Sequence, residues 1–190
     1  MKIGIDVSQL TYRNTGVANY LKHLVKGLVE SDRENEYILF YSSFRGKLDP
    51  RDIPTGENVK VIKSFLPPTA LDFIWNKLHI VPIETFTGPL DIFITSDWVE
   101  PPVRKAKKAT ILYDLIVYKY PEESHNKTEL TLSKFILSAN IVASQKRKLE
   151  WVKKESDAIL CISQSTKQDA QEILGIHKDK LHVIYPGFTL

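Results

Sequence analysis

The chain has 190 residues, of which 43% are hydrophobic, and it carries a net charge of +3. This composition can bury one full core, and the mild charge does not favour nucleic-acid binding. Eight glycines and ten prolines exclude collagen-like and low-complexity classes, and the apolar runs are too short to span a bilayer. The chain starts on a predicted strand instead of a signal peptide, and its single cysteine fits the reducing cytoplasm.

Strands and helices are predicted to alternate along the chain. Short β-rich runs predict strands over residues 2–7, 36–42, 58–62, 91–96, 109–114, 158–163 and 181–185. Apolar residues at a 3.6-residue spacing predict a helix from Val17, and further helices are predicted over about 127–155 and 165–174, the last ended by Gly175. Apolar strands that alternate with helices indicate an α/β fold, with a Rossmann-like, mostly parallel sheet and helices on both faces.

The first loop, Asn14-Thr15-Gly16, leads directly into the first helix. Ligands of open parallel sheets bind at the carboxyl ends of the strands, and a helix N-terminus there offers free N–H groups to a phosphate. A glycine would let such a ligand approach the backbone closely. The alternative, which we favour for this loop taken alone, is that Asn14 or Thr15 only caps the helix.

Polar residues also follow the later strands. Asp114 ends the fifth predicted strand, where it can be a functional carboxylate or an ordinary loop cap. Ser163 and Ser165 stand before the helix that follows the sixth strand, and Ser165 with Gln168 has the spacing of a capping box. Cys161, inside an apolar strand, is predicted to be a core thiol. The five histidines share no spacing typical of a metal site.

Two stretches raise the question of membrane contact. Residues 64–86 are rich in large apolar side chains, including Trp75, and we favour a helix packed on the sheet over an exposed membrane-binding surface. Residues 144–156 carry five basic side chains, for which a solvated helix face is the default interpretation and attraction to anionic lipid the alternative.

The order of four segments along the chain resembles the amino-terminal domain of glycosyltransferase family 4, a group with the two-domain GT-B fold. The segments are "TGVANYLKHLVKGL", "DIFITSDWVEPP", "ILYDLIVYKYPE" and "ESDAILCISQSTKQDAQEILGIHKDKLHVIYPGF". The resemblance implies a retaining enzyme of polysaccharide biosynthesis that moves a mannosyl- or glucosyl-type hexose from a nucleotide-diphosphate sugar to a glycan or lipid-linked acceptor. It implies no cofactor and no metal, and it allows peripheral contact with the inner face of the membrane.

The resemblance also implies domain bounds. Residues 1–185 would form the acceptor-side domain, and residues 186–190 would begin a linker to a donor-binding domain that this sequence does not contain. The chain alone is then expected to be inactive. A non-catalytic Rossmann-like binding module, or half of a sugar-nucleotide epimerase, are the alternatives.

Site residues follow from the same resemblance. Gly16 and Val17 would present backbone N–H groups to the departing phosphate, and Tyr20 belongs to the same segment. Tyr113 and Asp114 would be catalytic. Ser96, Ser163 and Ser165 would help to bind donor phosphate or acceptor. Many relatives have histidine in place of Tyr113 and of Ser96, which puts a proton-transfer role there in doubt because tyrosine does not shuttle protons near neutral pH.

Overall fold

A parallel β-sheet forms the centre of the protein. The computed structural model describes residues 1–12, 14–96, 98–120 and 132–187, without the side chains of 132–140. The strands are β1 Lys2–Asp6, β2 Glu36–Ser42, β3 Val59–Ser64, β4 Ile92–Thr95, β5 Lys107–Leu112, β6 Ala158–Cys161 and β7 Leu181–Val183. Every predicted strand is present, and its ends lie within two residues of the prediction.

The seven strands are ordered β3-β2-β1-β4-β5-β6-β7, and all pair in parallel. Ile5 of β1 pairs with Leu39 of β2 on one side and with Ile94 of β4 on the other. The chain therefore runs outward from β1 to β3 on one side of the sheet. It then returns to β4, on the other side of β1, and continues outward to β7. This order confirms the predicted Rossmann-like α/β fold and creates a switch point between β1 and β4.

Helices connect the strands. The α-helices are α1 Gly16–Ser31, α2 Pro68–Leu71, α3 Glu84–Thr87, α4 Ile116–Lys119, α5 Leu132–Glu155 and α6 Gln164–Glu172. A π-helical turn, Asp72–Lys77, extends α2, and 3-10 turns lie at Ser8–Thr11, Pro50–Asp52 and Lys178–Lys180. The residues predicted to begin the long helix before Leu132, and residues 188–190 of the predicted linker, lie outside the described residues.

Apolar side chains cover both faces of the sheet. Ile5 and Leu39 pack with Leu21 and Val25 of α1 on one face. Alternate residues of a strand point to opposite faces, so Phe40 packs on the other face against the segment that carries Trp75 and Ile83. Beneath α5 and α6 a third cluster surrounds Cys161, where burial raises the pKa of the thiol to about 11, as expected for a core cysteine.

Helix ends confirm two local predictions and correct a third. Thr15 caps α1 by accepting a hydrogen bond from the N–H of Ala18 at 3.1 Å. Gly175 takes the left-handed conformation, φ 65°, just after α6. The predicted capping box at Ser165 is wrong. Ser163 caps α6 instead, because β6 ends two residues earlier at Cys161 and the Ser163 hydroxyl accepts a hydrogen bond from the N–H of Thr166 at 3.0 Å.

The apolar stretch 64–86 packs on the sheet, as we favoured. Trp75 is buried and donates its indole N–H to the carbonyl of Val81 at 2.8 Å. Its ring contacts Phe40 and Phe86. The exposed aromatic side chains of this stretch are instead Phe65 and Phe73. Trp75 is therefore part of the core and cannot anchor the protein in a membrane.

Beneath α5, three elements are joined by a buried chain of charges. Lys108 of β5 and Glu100 have fully buried side chains 3.4 Å apart, and Lys108 also contacts Glu155 of α5 at 2.7 Å. Glu155 in turn contacts His79, whose ring stacks on Trp151. Partial burial raises the pKa of Glu155, but the hydrogen bonds from Lys108 and His79 outweigh it, so the pKa lies below its ordinary value.

Candidate functional site

The candidate site lies at the carboxyl ends of the central strands. The sheet reverses its order between β1 and β4, and in such sheets ligands bind in the crevice beside that point. Asp6 ends β1, Ser96 follows β4, and Tyr113 and Asp114 follow β5. The topology therefore brings the predicted residues of separate segments to one edge.

The amino end of α1 forms one wall of the site. Gly16 is its first residue, and a side chain at Gly16 would meet no atom within 4 Å. Its φ is not in the left-handed region, so neither packing nor backbone conformation within this domain demands glycine there. The first N–H groups of a helix have no intrahelical acceptor, and Thr15 satisfies only that of Ala18. The N–H groups of Gly16 and Val17 are thus free of intrahelical bonds.

Tyr113 and Asp114 form the facing wall. Tyr113 is buried, its ring lies edge-on to that of Tyr20 with centroids 5.5 Å apart, and its hydroxyl contacts the hydroxyl of Ser96 at 3.3 Å. The carbonyl of Tyr113 accepts a hydrogen bond from Thr166 of α6 at 3.0 Å. Asp114 is exposed, and its carboxylate accepts the N–H of Ile116 at 3.0 Å. The loop-cap interpretation of Asp114 is therefore correct, and its exposure leaves the carboxylate accessible to a ligand.

Tyr20 ties α1 to the segment after β7. Its hydroxyl donates to the carbonyl of Ile184 at 3.0 Å, and the side chain is buried. Burial raises the pKa of the Tyr20 phenol, with a smaller contribution from Cys161. The Tyr20 phenol thus stays neutral, and its hydrogen bond holds the amino-terminal part of α1 against the segment that follows β7.

Between the two walls lies a cavity of about 710 Å³, which we call the large cavity. It is lined by Gly16, Val17, Asn19, Tyr20, His23, Tyr113, Asp114, Ile162, Pro186 and Gly187. Five predicted site residues therefore meet in one place. Ser96 lies behind Tyr113, Ser163 caps α6, and Ser165 is exposed outside this lining.

The sequence analysis did not single out His23, which lines the large cavity. Only its position three residues after Tyr20, on the same face of α1, could have indicated it.

The sequence analysis also did not single out Lys148. Its burial contradicts the prediction that the basic residues of 144–156 form a solvated helix face. It lies in the basic run of α5, yet it is 2% exposed, and its Nζ donates to the carbonyl of Ser96 at 2.7 Å. Asp6 lies near it, and burial raises the pKa of that carboxyl despite hydrogen bonds from Ser8 and the attraction of Lys148. Lys148 thus connects α5 to the segment that follows β4.

Neither a metal-binding cluster nor a membrane-spanning helix occurs among the described residues. In that part of the chain, no three His, Cys, Asp or Glu side chains are grouped so that they could hold a metal ion. Over the same residues, no helix is both long and apolar enough to cross a membrane.

A family model described as Glycosyltransferase Family 4 matches residues 131–190. This range holds β6, α6 and β7, the most specific part of the predicted resemblance. The match confirms the predicted resemblance to this family over residues 131–190. A search of curated proteins gave no significant match.

Two solved structures are similar at low identity. HepE from Anabaena, solved in complex with UDP, is 13% identical with a TM-score of 0.45, over 98% of this chain and 44% of HepE. The oxidoreductase YlbE from Lactococcus lactis is 14% identical with a TM-score of 0.37, over 100% of this chain and 92% of YlbE. The chain thus spans less than half the length of HepE.

Proposed function

We propose that the chain is the acceptor-side half of a family 4 glycosyltransferase, a retaining, metal-independent hexosyltransferase that uses a nucleotide-diphosphate sugar of mannosyl or glucosyl type. The observation that carries the proposal is the large cavity, in which the amino end of α1 faces Tyr113 and Asp114 across the switch point. One wall suits a phosphate and the other suits sugar hydroxyls. A transferase site needs both.

The α1 wall suits the departing diphosphate. The partial positive charge of a helix N-terminus favours an anion, and free N–H groups can donate hydrogen bonds to it. At Gly16 the folded domain leaves open space where a side chain would stand, which allows a ligand to approach the backbone. Donors fixed in place before reaction stabilise the charge that develops on a leaving group, without a metal ion.

The facing wall suits hydroxyl groups. The Asp114 carboxylate can accept a hydrogen bond from a sugar hydroxyl, and the Tyr113 hydroxyl, which Ser96 contacts from behind, can both donate and accept. Tyr113 is fixed by Tyr20, Ser96 and α6, so it would hold a ligand in one orientation. We assign Tyr113 a binding role and no proton shuttle, because its hydroxyl can donate and accept hydrogen bonds but lacks the proton-shuttling chemistry of a histidine.

The domain bounds are part of this proposal. Residues 1–185 form the acceptor-side domain, and residues 186–190 begin the linker to a donor-binding domain. Pro186 and Gly187 line the large cavity, which supports a second domain that closes over it. The proposal places the sugar nucleotide between the two domains, and the chain alone would then bind it weakly.

The acceptor is proposed to be a glycan or a lipid-linked glycan reached from the cytoplasmic face of a membrane. Phe44 and Phe65 are exposed just beyond the paired ends of β2 and β3, at the same edge of the sheet as the site. Cations lie over both rings, Arg45 at 5.9 Å and Lys63 at 4.6 Å from the centroids. Apolar rings with adjacent cations are the combination that favours an anionic lipid surface.

Calorimetry and product analysis test the proposal. The whole protein, incubated with a panel of UDP- and GDP-hexoses and a glycan extract, should release the nucleotide diphosphate and extend the acceptor. The chain of 190 residues should show no micromolar affinity for any of these donors. Tight donor binding by this chain without transfer by the whole protein would favour the non-catalytic module. Conversion of the donor to its epimer would favour the epimerase.

A further inference from the structure

Residues 78–81, which follow the π-helical turn, have a strained backbone, and we call them the strained turn. His79 has a φ of 52° and Val81 a φ of 63°, both in the left-handed region. Val81 is β-branched and precedes Pro82, and each of these features disfavours a positive φ. Such a conformation persists only where surrounding contacts hold it in place.

The ring of His79 ties the strained turn to its neighbours. Its Nδ1 lies 2.8 Å from the carbonyl oxygen of Trp75, and its Nε2 lies 2.8 Å from a carboxylate oxygen of Glu155 on α5. The ring also stacks on Trp151 of α5 with centroids 3.7 Å apart, and only 8% of the His79 side chain is exposed. His79 therefore closes the turn onto Trp75 and attaches it to α5.

Both oxygens that the ring contacts are acceptors. A carbonyl oxygen and an ionised carboxylate have no hydrogen to donate, so each contact needs an N–H group of the ring. Glu155 is ionised, because the hydrogen bonds from Lys108 and His79 outweigh its partial burial and keep its pKa below the ordinary value. Neutral histidine has one ring N–H, whereas the imidazolium cation has two. The two contacts together thus require the imidazolium.

The charges around His79 favour the same protonation state. They belong to Glu155 and Lys154 of α5, Lys108 of β5, Glu100 after β4, and Asp72 and Lys77 of the π-helical turn. Asp72 pairs with Arg147, Lys77 lies over the Phe73 ring, and exposed Lys154 lies over the Trp151 ring. The two carboxylates that contact Lys108 then share one ammonium group, and a charged His79 supplies the second cation.

We propose that His79 is held as an imidazolium at neutral pH and clamps the strained turn against α5, and that the clamp opens when the ring loses this proton. A neutral ring can donate to only one of the two oxygens, and the charged carboxylate of Glu155 is the stronger partner. The contact with the Trp75 carbonyl is then lost, and the left-handed residues of the turn can relax. The stabilisation is present at low pH and is lost as the pH rises through the range in which His79 deprotonates.

NMR of the ring nitrogens tests the protonation state. At neutral pH both ring nitrogens of His79 should carry a proton and have similar ¹⁵N shifts, whereas a neutral ring has two widely separated shifts. As the pH rises, His79 should keep both protons after the exposed His182 of β7 has become neutral. Glu155→Gln removes the charged acceptor, so His79 should lose its proton at a lower pH in this variant. Glu150→Gln, on the exposed side of α5, should leave the His79 signals unchanged.

Hydrogen exchange tests whether loss of the proton opens the turn. The amide of Ile80 donates to the carbonyl of Ile74 at 3.0 Å, and the indole N–H of Trp75 donates to the carbonyl of Val81 at 2.8 Å. Between about pH 6 and about pH 9 the protection factors of both protons should fall, by at most about tenfold per pH unit, the limit for release of one proton. His79→Gln should remove this pH dependence, because glutamine does not titrate. The amide of Val25, within α1, should keep its protection throughout.

Two results would overturn the clamp. One is a single protonated ring nitrogen on His79 at neutral pH. The other is unchanged protection of the Ile80 amide and the Trp75 indole while His79 becomes neutral. Both measurements use the unmodified protein, so they decide the matter even where His79→Gln fails to fold.

Discussion

The large cavity and the charge chain beneath α5 use polar residues in opposite ways. In the chain Glu100–Lys108–Glu155–His79, each charged side chain contacts an opposite charge, and Glu100 and Lys108 are completely buried. In the large cavity, Gly16 and Asp114 are exposed, and the space beside Gly16 is open. The first arrangement holds β5, α5 and the segment around His79 together. The second contributes little to folding and leaves its groups accessible to a ligand.

The difference teaches where substitutions should act. Removing one member of a buried charge pair leaves its partner uncompensated, which costs free energy of unfolding. Changing an exposed residue with no close neighbours leaves stability almost unchanged, so any lost activity reports on the ligand.

Lys108→Met should have the largest effect on stability. The substitution leaves Glu100 buried without its cation and should lower the free energy of unfolding by about 3–5 kcal/mol. Urea denaturation measures the loss. Lys107→Met is the matched control, because the neighbouring Lys107 side chain is 75% exposed and its ion pair with Asp157 should contribute at most about 1 kcal/mol. Equal losses in the two variants would contradict this distinction.

Gly16→Val tests the opposite region. In the whole protein it should reduce turnover by at least about tenfold, since the new side chain blocks a ligand from backbone donors of the kind that stabilise leaving-group charge. The melting temperature should change little, because nothing lies within 4 Å of the new side chain. Gly27→Val, at an equally open position of α1 outside the large cavity, should retain full turnover. A destabilised but fully active Gly16→Val protein would support a purely structural glycine.

Acidification should weaken the charge chain beneath α5. The pKa of Glu155 is lowered in the folded protein, so its contribution to stability is present above the ordinary carboxyl pKa and is lost as pH falls through the folded value. Thermal unfolding followed from about pH 5 down to about pH 2 should show this loss, and Glu155→Gln should show less of it. Glu150→Gln, on the exposed side of α5, should follow the unmodified protein. Identical pH profiles for all three proteins would remove Glu155 from this explanation.

The smallest expected effect concerns membrane contact. Vesicles with anionic lipid should bind the chain at low salt, with attraction of about 1 kcal/mol per basic residue at the surface. A Phe44→Ser, Phe65→Ser double variant should bind less. Trp98, which is 41% exposed, is the more suitable fluorescent reporter, because buried Trp75 should not respond. A chain that stays in the supernatant with unchanged fluorescence would rule out this surface.

Much of the fold could be predicted from the sequence because its signals are local. The seven strands are short apolar runs, and Thr15 and Gly175 mark helix ends through their own side-chain and backbone chemistry. The carboxyl-edge rule predicts that the Gly16 loop and Asp114 lie at one edge of the sheet, whereas Tyr113 follows only from the family resemblance.

What could not be predicted depends on contacts between distant segments. Lys148 lies in a basic run typical of a solvated face, and only the docking of α5 against Ser96, 52 residues earlier, buries it. Lys108 pairs with Glu155, 47 residues later, and no spacing in the sequence indicates that pair. Whether Ser163 or Ser165 caps α6 depends on where β6 ends, and the strand ends at Cys161, two residues before its predicted end.

The position of β3 at the border of the sheet also affects how the protein behaves at high concentration. Among the described residues β3 pairs only with β2, so it is an edge strand, and the unpaired side of an edge strand can pair with strands from other molecules. Lys60 and Lys63 lie within it, and lysines on an edge strand repel a second copy. Replacing both with uncharged residues should therefore promote aggregation of the folded protein while its melting temperature stays nearly the same.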